Sequence, residues 1–169
     1  MTPYQFFDAF VLGNYDDCLR CPGCVRRAFN AAVSASQLAD HYWKYWEKND
    51  KSKLKGFKTF GEFIEDLSTN TDCCFRDIRS IANAYKHLYT STYPNKAVHS
   101  SISSTGAIES IHLPNEDAEV KGLEENWPED STSKNNESQV IYTRKDGQQL
   151  KFLPTLKTVI NYWTKKVHS

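Results

Sequence analysis

The stretch CVRRAFNAAVSASQLADHYWKYWEK, residues 24–48, decides the fold, because its apolar residues recur at steps of three and four along its whole length. It contains no Gly or Pro that would interrupt a helix. Its first half is rich in Ala and Ser, which lets a second helix approach closely. Its second half ends in aromatic residues, which we interpret as core packing rather than a surface for stacking bases. These residues are Tyr42, Trp43, Tyr45 and Trp46.

Further helices are predicted on both sides of this central helix. Pro3 suits the first turn of a short apolar helix, which Gly13-Asn14 would end. Thr59 and Glu62 have capping-box spacing and start a helix to about Leu67. A longer helix runs from about Asp72 to Leu88, with Thr71 or Asp72 as its N-cap. Its apolar stripe consists of Phe75, Ile78, Ala82, Tyr85 and Tyr89.

A small β element is predicted near the C-terminus. Residues 98–103 and 107–113 have the composition of short strands. Asp146-Gly147 suits a type I′ turn in a hairpin over 140–152, which would place Ile141 opposite Phe152 and Thr143 opposite Leu150. Pro154 then opens a last helix. The sequence therefore predicts a mainly α fold, a helical bundle with a small antiparallel β element.

The chain is expected to form one domain over residues 1–169, large enough to bury a core without disulfides or metals. Residues 1–92 form the helical core and 93–113 the short strands. Residues 114–138 hold eight acidic and two basic residues and are expected to form a mobile loop. The hairpin and C-terminal helix occupy 139–169.

Charge and cysteine content limit the functional classes. The 21 basic residues balance 21 acidic ones, so no net field draws the chain to nucleic acid or membrane, and any such binding needs a local patch. The N-terminus lacks signal-peptide features, and no apolar run is long enough to span a bilayer. Five cysteines without an export signal favour reduced thiols. We expect a cytoplasmic protein without a membrane partner.

Three cysteines, Cys18, Cys21 and Cys24, have C-x2-C-x2-C spacing, and the Pro-Gly turn inside it would aim two thiolates at one metal. Cys73 and Cys74, or a histidine, could complete four ligands only if the fold brings them close, and the sequence has no second CxxC or HxxxH pair. Redox chemistry is the second interpretation, although no strand or βαβ unit precedes the motif. Ordinary buried or loop cysteines are the third. We expect no cofactor.

A polar ridge on the predicted 72–88 helix is the remaining chemical candidate. Arg79, Asn83 and His87 follow one another at i, i+4 and i+8, with Arg76 and Lys86 beside them. The ridge is either a solvated helix face or a site. Arginine and lysine hold phosphate, histidine serves as general acid or base near neutral pH, and asparagine orients either one. These are the side-chain groups that a metal-independent ribonuclease needs.

The segments RDIRSIANAYKHL (76–88) and NAAVSASQLADHYW (30–43) resemble a group of small bacterial proteins with an AA-small-A…L-x-D helix and a later D-x-x-N-A-x-K-H helix. That group is similar in layout to the HEPN superfamily of helical bundles, many of which dimerise and cleave RNA as toxins or defence effectors. The resemblance covers about residues 25–90. It implies that the two helices pack antiparallel and that a polar patch lies at a dimer seam. Only His87 matches the HEPN pattern directly, and Arg79 or Arg76 takes the place of its arginine.

Two functions follow as hypotheses. The first is a HEPN-like, metal-independent endoribonuclease or toxin-type defence effector that acts on RNA as a homodimer. Its catalytic residues would be His87, Arg79 and Asn83, and Arg76 and Lys86 would bind the substrate. The second is a non-catalytic protein-interaction or regulatory module of bacterial or phage origin. It would use the same helix face together with the basic segment 139–169, which holds six Lys or Arg and one Asp.

Overall fold

The computed structural model describes residues 1–54, 56–87, 100–112 and 138–168. Within them the chain is mainly helical with a small antiparallel sheet near the C-terminus, as predicted. The helices are α1 (Pro3–Phe6), α2 (Gly13–Arg20), α3 (Val25–Asn49), α4 (Phe60–Thr69), α5 (Cys74–His87) and α6 (Phe152–Val167), with a π-helical stretch at Phe7–Leu12 and 3-10 turns at Lys51–Leu54 and Thr105–Ala107. The strands are β1 (Ile108–His112), β2 (Ser138–Thr143) and β3 (Gln149–Lys151). The acidic loop, apart from Ser138, and the residues Leu88, Tyr89 and Leu113 lie outside the described residues.

The N-terminal helix does not end at Gly13-Asn14, so that prediction was wrong. Gly13 has helical backbone angles, φ −58° and ψ −47°, and the chain stays helical from α1 through the π-helical stretch to the end of α2. Glycine permits a helix end but does not require one. The helix keeps Phe7, Val11 and Cys18 buried in the core, and this burial favours its continuation.

The central helix, α3, matches its predicted bounds to within one residue. Its alanines at positions 28, 31, 32, 35 and 39 are buried, and α3 and α5 pack closely across them. Asp40 pairs with Arg79 near one end of this contact, and the Phe29 ring lies 5.0 Å from the Tyr85 ring near the other. From one contact to the other the residue number falls along α3, from 40 to 29, and rises along α5, from 79 to 85, so the two helices run antiparallel.

The helix starts agree closely with their predicted caps. Thr59 Oγ1 accepts a hydrogen bond from the Glu62 backbone N–H at 3.2 Å, and α4 continues to Thr69. Thr71, one of the two proposed caps of α5, accepts from the Phe75 N–H at 3.0 Å. The helix begins only at Cys74, because Asp72 and Cys73 both have positive φ, 49° and 65°, which turns the chain sharply between α4 and α5.

The sheet has the order β1-β2-β3, with both pairs antiparallel. The predicted hairpin register was wrong, because Ile141 lies opposite Lys151 and Thr143 opposite Gln149. The loop has three residues, 145–147, instead of two. Only Gly147 has positive φ, at 86°, whereas a type I′ turn needs positive φ at two positions. The extra loop residue shifts the pairing by one position, and Phe152 begins α6.

The predicted strand at 98–103 was also wrong over its described part, 100–103, which has no strand pairing. This segment instead packs against α5, because the Ser101 N–H donates to Ser80 Oγ at 3.0 Å and Ile102 is fully buried. The C-terminal helix α6 begins two residues before the predicted Pro154, packs against α5 and α3, and buries Leu156, Val159 and Trp163. Among the described helices, none has the length and apolar character needed to cross a membrane.

Candidate functional site

The ridge predicted from sequence lies on α5. Arg79 and Asn83 are half-buried beside α3, and Lys86 is exposed. His87 is the last residue of α5, and its side chain is outside the described part of the chain. At a rise of about 1.5 Å per residue, the Cα atoms of Arg79 and His87 are roughly 12 Å apart along the helix. A phosphate lying over Asn83 would be within reach of the long arginine side chain and close to the histidine position.

Arg79 is held by two neighbours from different helices. Its Nη1 donates to Asp40 Oδ2 of α3 at 3.2 Å, and its guanidinium lies 5.4 Å from the ring centre of Phe60 in α4. An arginine has five N–H donors, and among contacts with described residues only one of them is engaged. Asp40 therefore fixes the direction of the guanidinium and leaves other N–H groups to bind an anion.

Arg76, a predicted substrate-binding residue, forms a separate ion pair. Its Nη2 donates to Glu65 Oε2 of α4 at 3.2 Å, and both side chains are exposed. Arg76 is thus paired with a carboxylate of α4, whereas Arg79 lies between Asp40 of α3 and Phe60 of α4. Arg79 is one turn from Asn83 and Arg76 is two turns away, so Arg79 is the better placed of the two to serve the ridge.

A shallow groove of about 400 Å³ opens between the N-terminal helical segment, α3 and Tyr85 of α5. Two of its aromatic side chains, Phe10 and Tyr85, are 46% and 54% exposed, which is unusual for such large apolar groups. Asn14, Asn30 and Gln37 add amide groups to its wall. Tyr85 lies two residues from both Asn83 and His87, about 200° around α5 from each, so the groove opens on a different face of the helix from the ridge. No pattern in the sequence predicted this groove, because its walls come from three separate helical segments.

A buried polar network surrounds Asp77, and no prediction from the sequence included it. This carboxylate is 1% exposed and accepts hydrogen bonds from the Tyr142 hydroxyl at 2.7 Å and from Arg144 Nε at 3.0 Å. Thr155 of α6 lies 3.0 Å from the same hydroxyl. Burial, together with the bond to Asp77, raises the pKa of Tyr142, and the hydrogen bond to Asp77 raises the pKa of Arg144.

The network joins three elements, α5, β2 and α6, through side chains that satisfy one another. A buried carboxylate with its partners in place stabilises one arrangement of these elements and leaves no free group for a ligand. The sequence did contain an indication, since Asp77 falls on the same face of α5 as Ile81 and Ala84, both fully buried. Arg144 belongs to the basic segment 139–169, and this pairing removes it from the charges available to a partner.

The cysteines of the C-x2-C-x2-C motif differ in their surroundings. Cys18 is fully buried, and burial raises its pKa to about 11, which favours the neutral thiol over the thiolate that metals bind. Cys21 and Cys24 are half-buried. Within the described residues, no group of three or more His, Cys, Asp or Glu side chains is placed to hold a metal ion.

Comparisons of the chain with protein-family models, with curated proteins and with solved structures return no match. The resemblance to HEPN proteins therefore stays a prediction from the sequence of residues 30–43 and 76–88.

Proposed function

We propose that the protein is a HEPN-like, metal-independent endoribonuclease of the toxin or defence-effector type. The observation that carries the proposal is the oriented, incompletely engaged guanidinium of Arg79, which shares one line of α5 with Asn83 and His87. Arg79 binds a phosphate of the RNA backbone through its free N–H groups. Asn83 orients the phosphate or the histidine, and Arg76 and Lys86 contact neighbouring phosphates.

The reaction is attack of a ribose 2′-hydroxyl on the adjacent phosphorus. The new 2′-oxygen–phosphorus bond forms as the bond to the 5′-oxygen breaks, leaving a cyclic phosphate and a free 5′-hydroxyl. One group removes the proton from the 2′-hydroxyl and another protonates the 5′-oxygen, and neutral and protonated histidine perform these two tasks. Each ridge holds one histidine, so a homodimer that brings two copies of His87 together supplies both.

Cleavage of a single-stranded RNA by the purified protein, in a buffer with a metal chelator, tests this function. We expect wild-type protein to cleave, His87→Ala to lose cleavage, and His168→Ala, a histidine outside the ridge, to retain it. Mass measurement in solution should give twice the chain mass. RNA left intact by the wild type, or cleaved equally by His87→Ala, would contradict the proposal.

A second variant tests the ridge independently of His87. Asp40→Asn keeps the shape of the side chain but removes the negative charge that competes with phosphate for Arg79. RNA binding should therefore become tighter, with the difference shrinking as salt screens the charges. Binding that is unchanged at low salt would mean that Arg79 does not contact the RNA.

The alternative function is a non-catalytic protein-interaction or regulatory module. Two observations favour it: Arg76 and Arg79 both have carboxylate partners already, and Phe10 and Tyr85 expose aromatic surface in the groove. Here the groove is an interface between two copies of the chain that holds no RNA. Tyr85→Ala would then convert the dimer to a monomer, and neither wild type nor Asp40→Asn would bind or cleave RNA.

A further inference from the structure

The segment Cys21-Pro22-Gly23-Cys24 forms a tight turn between α2 and α3. The Cys24 backbone N–H donates to the Cys21 carbonyl at 3.0 Å, which closes the turn. Cys24 is the N-cap of α3, with extended backbone angles of φ −83° and ψ 101°. Both residues are half-buried free cysteines. They occupy the first and last positions of one tight turn, whose Cα atoms lie within about 7 Å of each other, and this is close to the Cα separation that a disulfide spans.

The sheet holds this turn in place. The Pro22 carbonyl accepts a hydrogen bond from the Val140 N–H of β2 at 3.0 Å. Gly23 packs so closely that a Cβ added to it would lie 2.5 Å from Ser138 Cβ and 3.1 Å from Ser110 Oγ. Only glycine fits this contact. The backbone around the cysteine pair is therefore fixed from both sides, by α3 and by the sheet.

The three cysteines of the motif have different reactivity. The backbone N–H of Arg27, with those of Arg26, the Cys21 thiol and the charge of Arg26, lowers the pKa of Cys24, and partial burial opposes this shift only in part. Cys18, by contrast, is sealed in the core, and burial raises its pKa to about 11. Of the three, Cys24 is therefore the best suited to act as a nucleophile, Cys21 is the neighbouring thiol across the turn, and Cys18 is sealed away from both reagents and solvent.

We propose that Cys21 and Cys24 form a redox-active dithiol that is oxidised to an intramolecular disulfide by exchange with low-molecular-weight disulfides. The Cys24 thiolate attacks one sulfur of the small disulfide, forms a mixed disulfide and expels one thiolate. Cys21 then loses its proton to solvent and attacks the Cys24 sulfur, which expels the second thiolate. The dithiol gives up two electrons and the small disulfide takes both. This reaction is independent of the ribonuclease function.

The surroundings favour this chemistry over metal binding. A structural zinc site needs four ligands, and the described residues offer no third ligand in position beside this pair. The sequence lacked the preceding strand expected of a redox CxxC motif, but the fold supplies an equivalent support through the bond between Pro22 and Val140. A long helix follows the motif directly, and its N-terminal N–H groups stabilise the attacking thiolate.

Equilibration of the reduced protein with glutathione buffers of rising oxidised fraction tests the proposal. After rapid alkylation of the remaining thiols, mass spectrometry of the whole chain and of its peptides counts and locates the oxidised cysteines. We expect wild-type protein to lose two alkylation sites together and to show one Cys21–Cys24 disulfide. Cys21→Ser should stop at the mixed disulfide, with one glutathionyl group on Cys24, and Cys24→Ser should form neither species.

Serine is a favoured N-cap residue, so Cys24→Ser is expected to fold, and circular dichroism checks both variants. Cys73→Ser is the matched control, since Cys73 is also half-buried and should leave the disulfide unchanged. The pH dependence of Cys24 alkylation should lie at lower pH in the native protein than in urea. Wild-type thiols that all remain alkylatable, or a wild type that accumulates the mixed disulfide as Cys21→Ser does, would overturn the proposal.

Discussion

Removal of the positive charge beside Asp77 should destabilise the protein strongly. In Arg144→Met the apolar stem is kept, but among the described residues the carboxylate of Asp77, only 1% exposed, keeps just the Tyr142 hydroxyl as its partner. Breaking a buried ion pair by removing one partner costs roughly 3–5 kcal/mol. The Arg144 side chain is 22% exposed, which allows some water to reach the site, so the low end applies and we expect about 3 kcal/mol.

Removal of the negative charge of Asp77 should lower the free energy of unfolding less than removal of the positive charge of Arg144. Asp77→Asn leaves the guanidinium of Arg144 without its carboxylate, but that group can turn toward water, and the asparagine oxygen still accepts from Tyr142. We expect about 1.5–2 kcal/mol, the low end of the range for hydrogen bonds to charged groups, because the guanidinium regains water as a partner. The double variant should cost less than the sum of the two, because it leaves no unpaired buried charge.

Urea unfolding followed by tryptophan fluorescence measures these differences, since Trp163 is fully buried and reports on the core. A loss of about 3 kcal/mol corresponds to a fall in Tm of roughly 6–12 °C for a chain of this size. Arg76→Met is the control, because its exposed pair with Glu65 should contribute less than about 1 kcal/mol. The network would not stabilise the fold as described if Arg144→Met cost no more than this control, or less than Asp77→Asn.

Two further predictions concern the N-terminal half of the chain. Burial raises the pKa of Cys18 from 9.0 to about 11, so the thiol loses its proton at lower pH in the unfolded chain than in the folded one. The stability that buried Cys18 contributes is therefore present below pH 9.0 and is lost as the pH rises to about 11. The urea midpoints of wild type and Cys18→Ala should therefore converge over this range, and a constant difference would contradict the shift. Gly23→Ala should destabilise by about 1–3 kcal/mol, because its Cβ would overlap Ser138. Gly61→Ala, whose Cβ would meet only Thr59 Oγ1 at 3.7 Å, should be neutral or stabilising. Thermal unfolding of both variants measures the difference, and an equal change in Tm for Gly23→Ala and Gly61→Ala would refute the steric argument.

Features that depend on local sequence were predictable. The helical period of residues 24–48 gave α3 to within one residue, and the Thr59 cap gave the start of α4, since both depend on neighbours within four positions. The hairpin between β2 and β3 was found, but its register was not. Asp-Gly suits both a two-residue and a three-residue loop, and the backbone angle at Asp146 decides between them.

Long-range contacts were not predictable. Nothing local to Arg79 indicates that its partner is Asp40 on another helix, and nothing local to Asp77 indicates Tyr142 and Arg144, which are more than sixty positions away. The ridge on α5 was found because its spacing is local. The carboxylates that pair with its arginines, Glu65 and Asp40, could not be predicted in the same way, and they affect what the ridge can bind.

The strength of the ion pair between Arg79 and Asp40 determines how readily the ridge could bind phosphate. Its side chains are 27% and 42% exposed, so it belongs with surface pairs, which contribute about 0.2–1 kcal/mol. A hydrogen bond between a guanidinium and a charged phosphate oxygen is worth roughly 1.5–3 kcal/mol, and the guanidinium can bind phosphate through N–H groups that Asp40 does not use. Phosphate binding therefore outweighs the pair even if the pair must break. Under the proposed ribonuclease function, Asp40 would hold Arg79 ready in the absence of RNA and would weaken, without preventing, its contact with the RNA backbone.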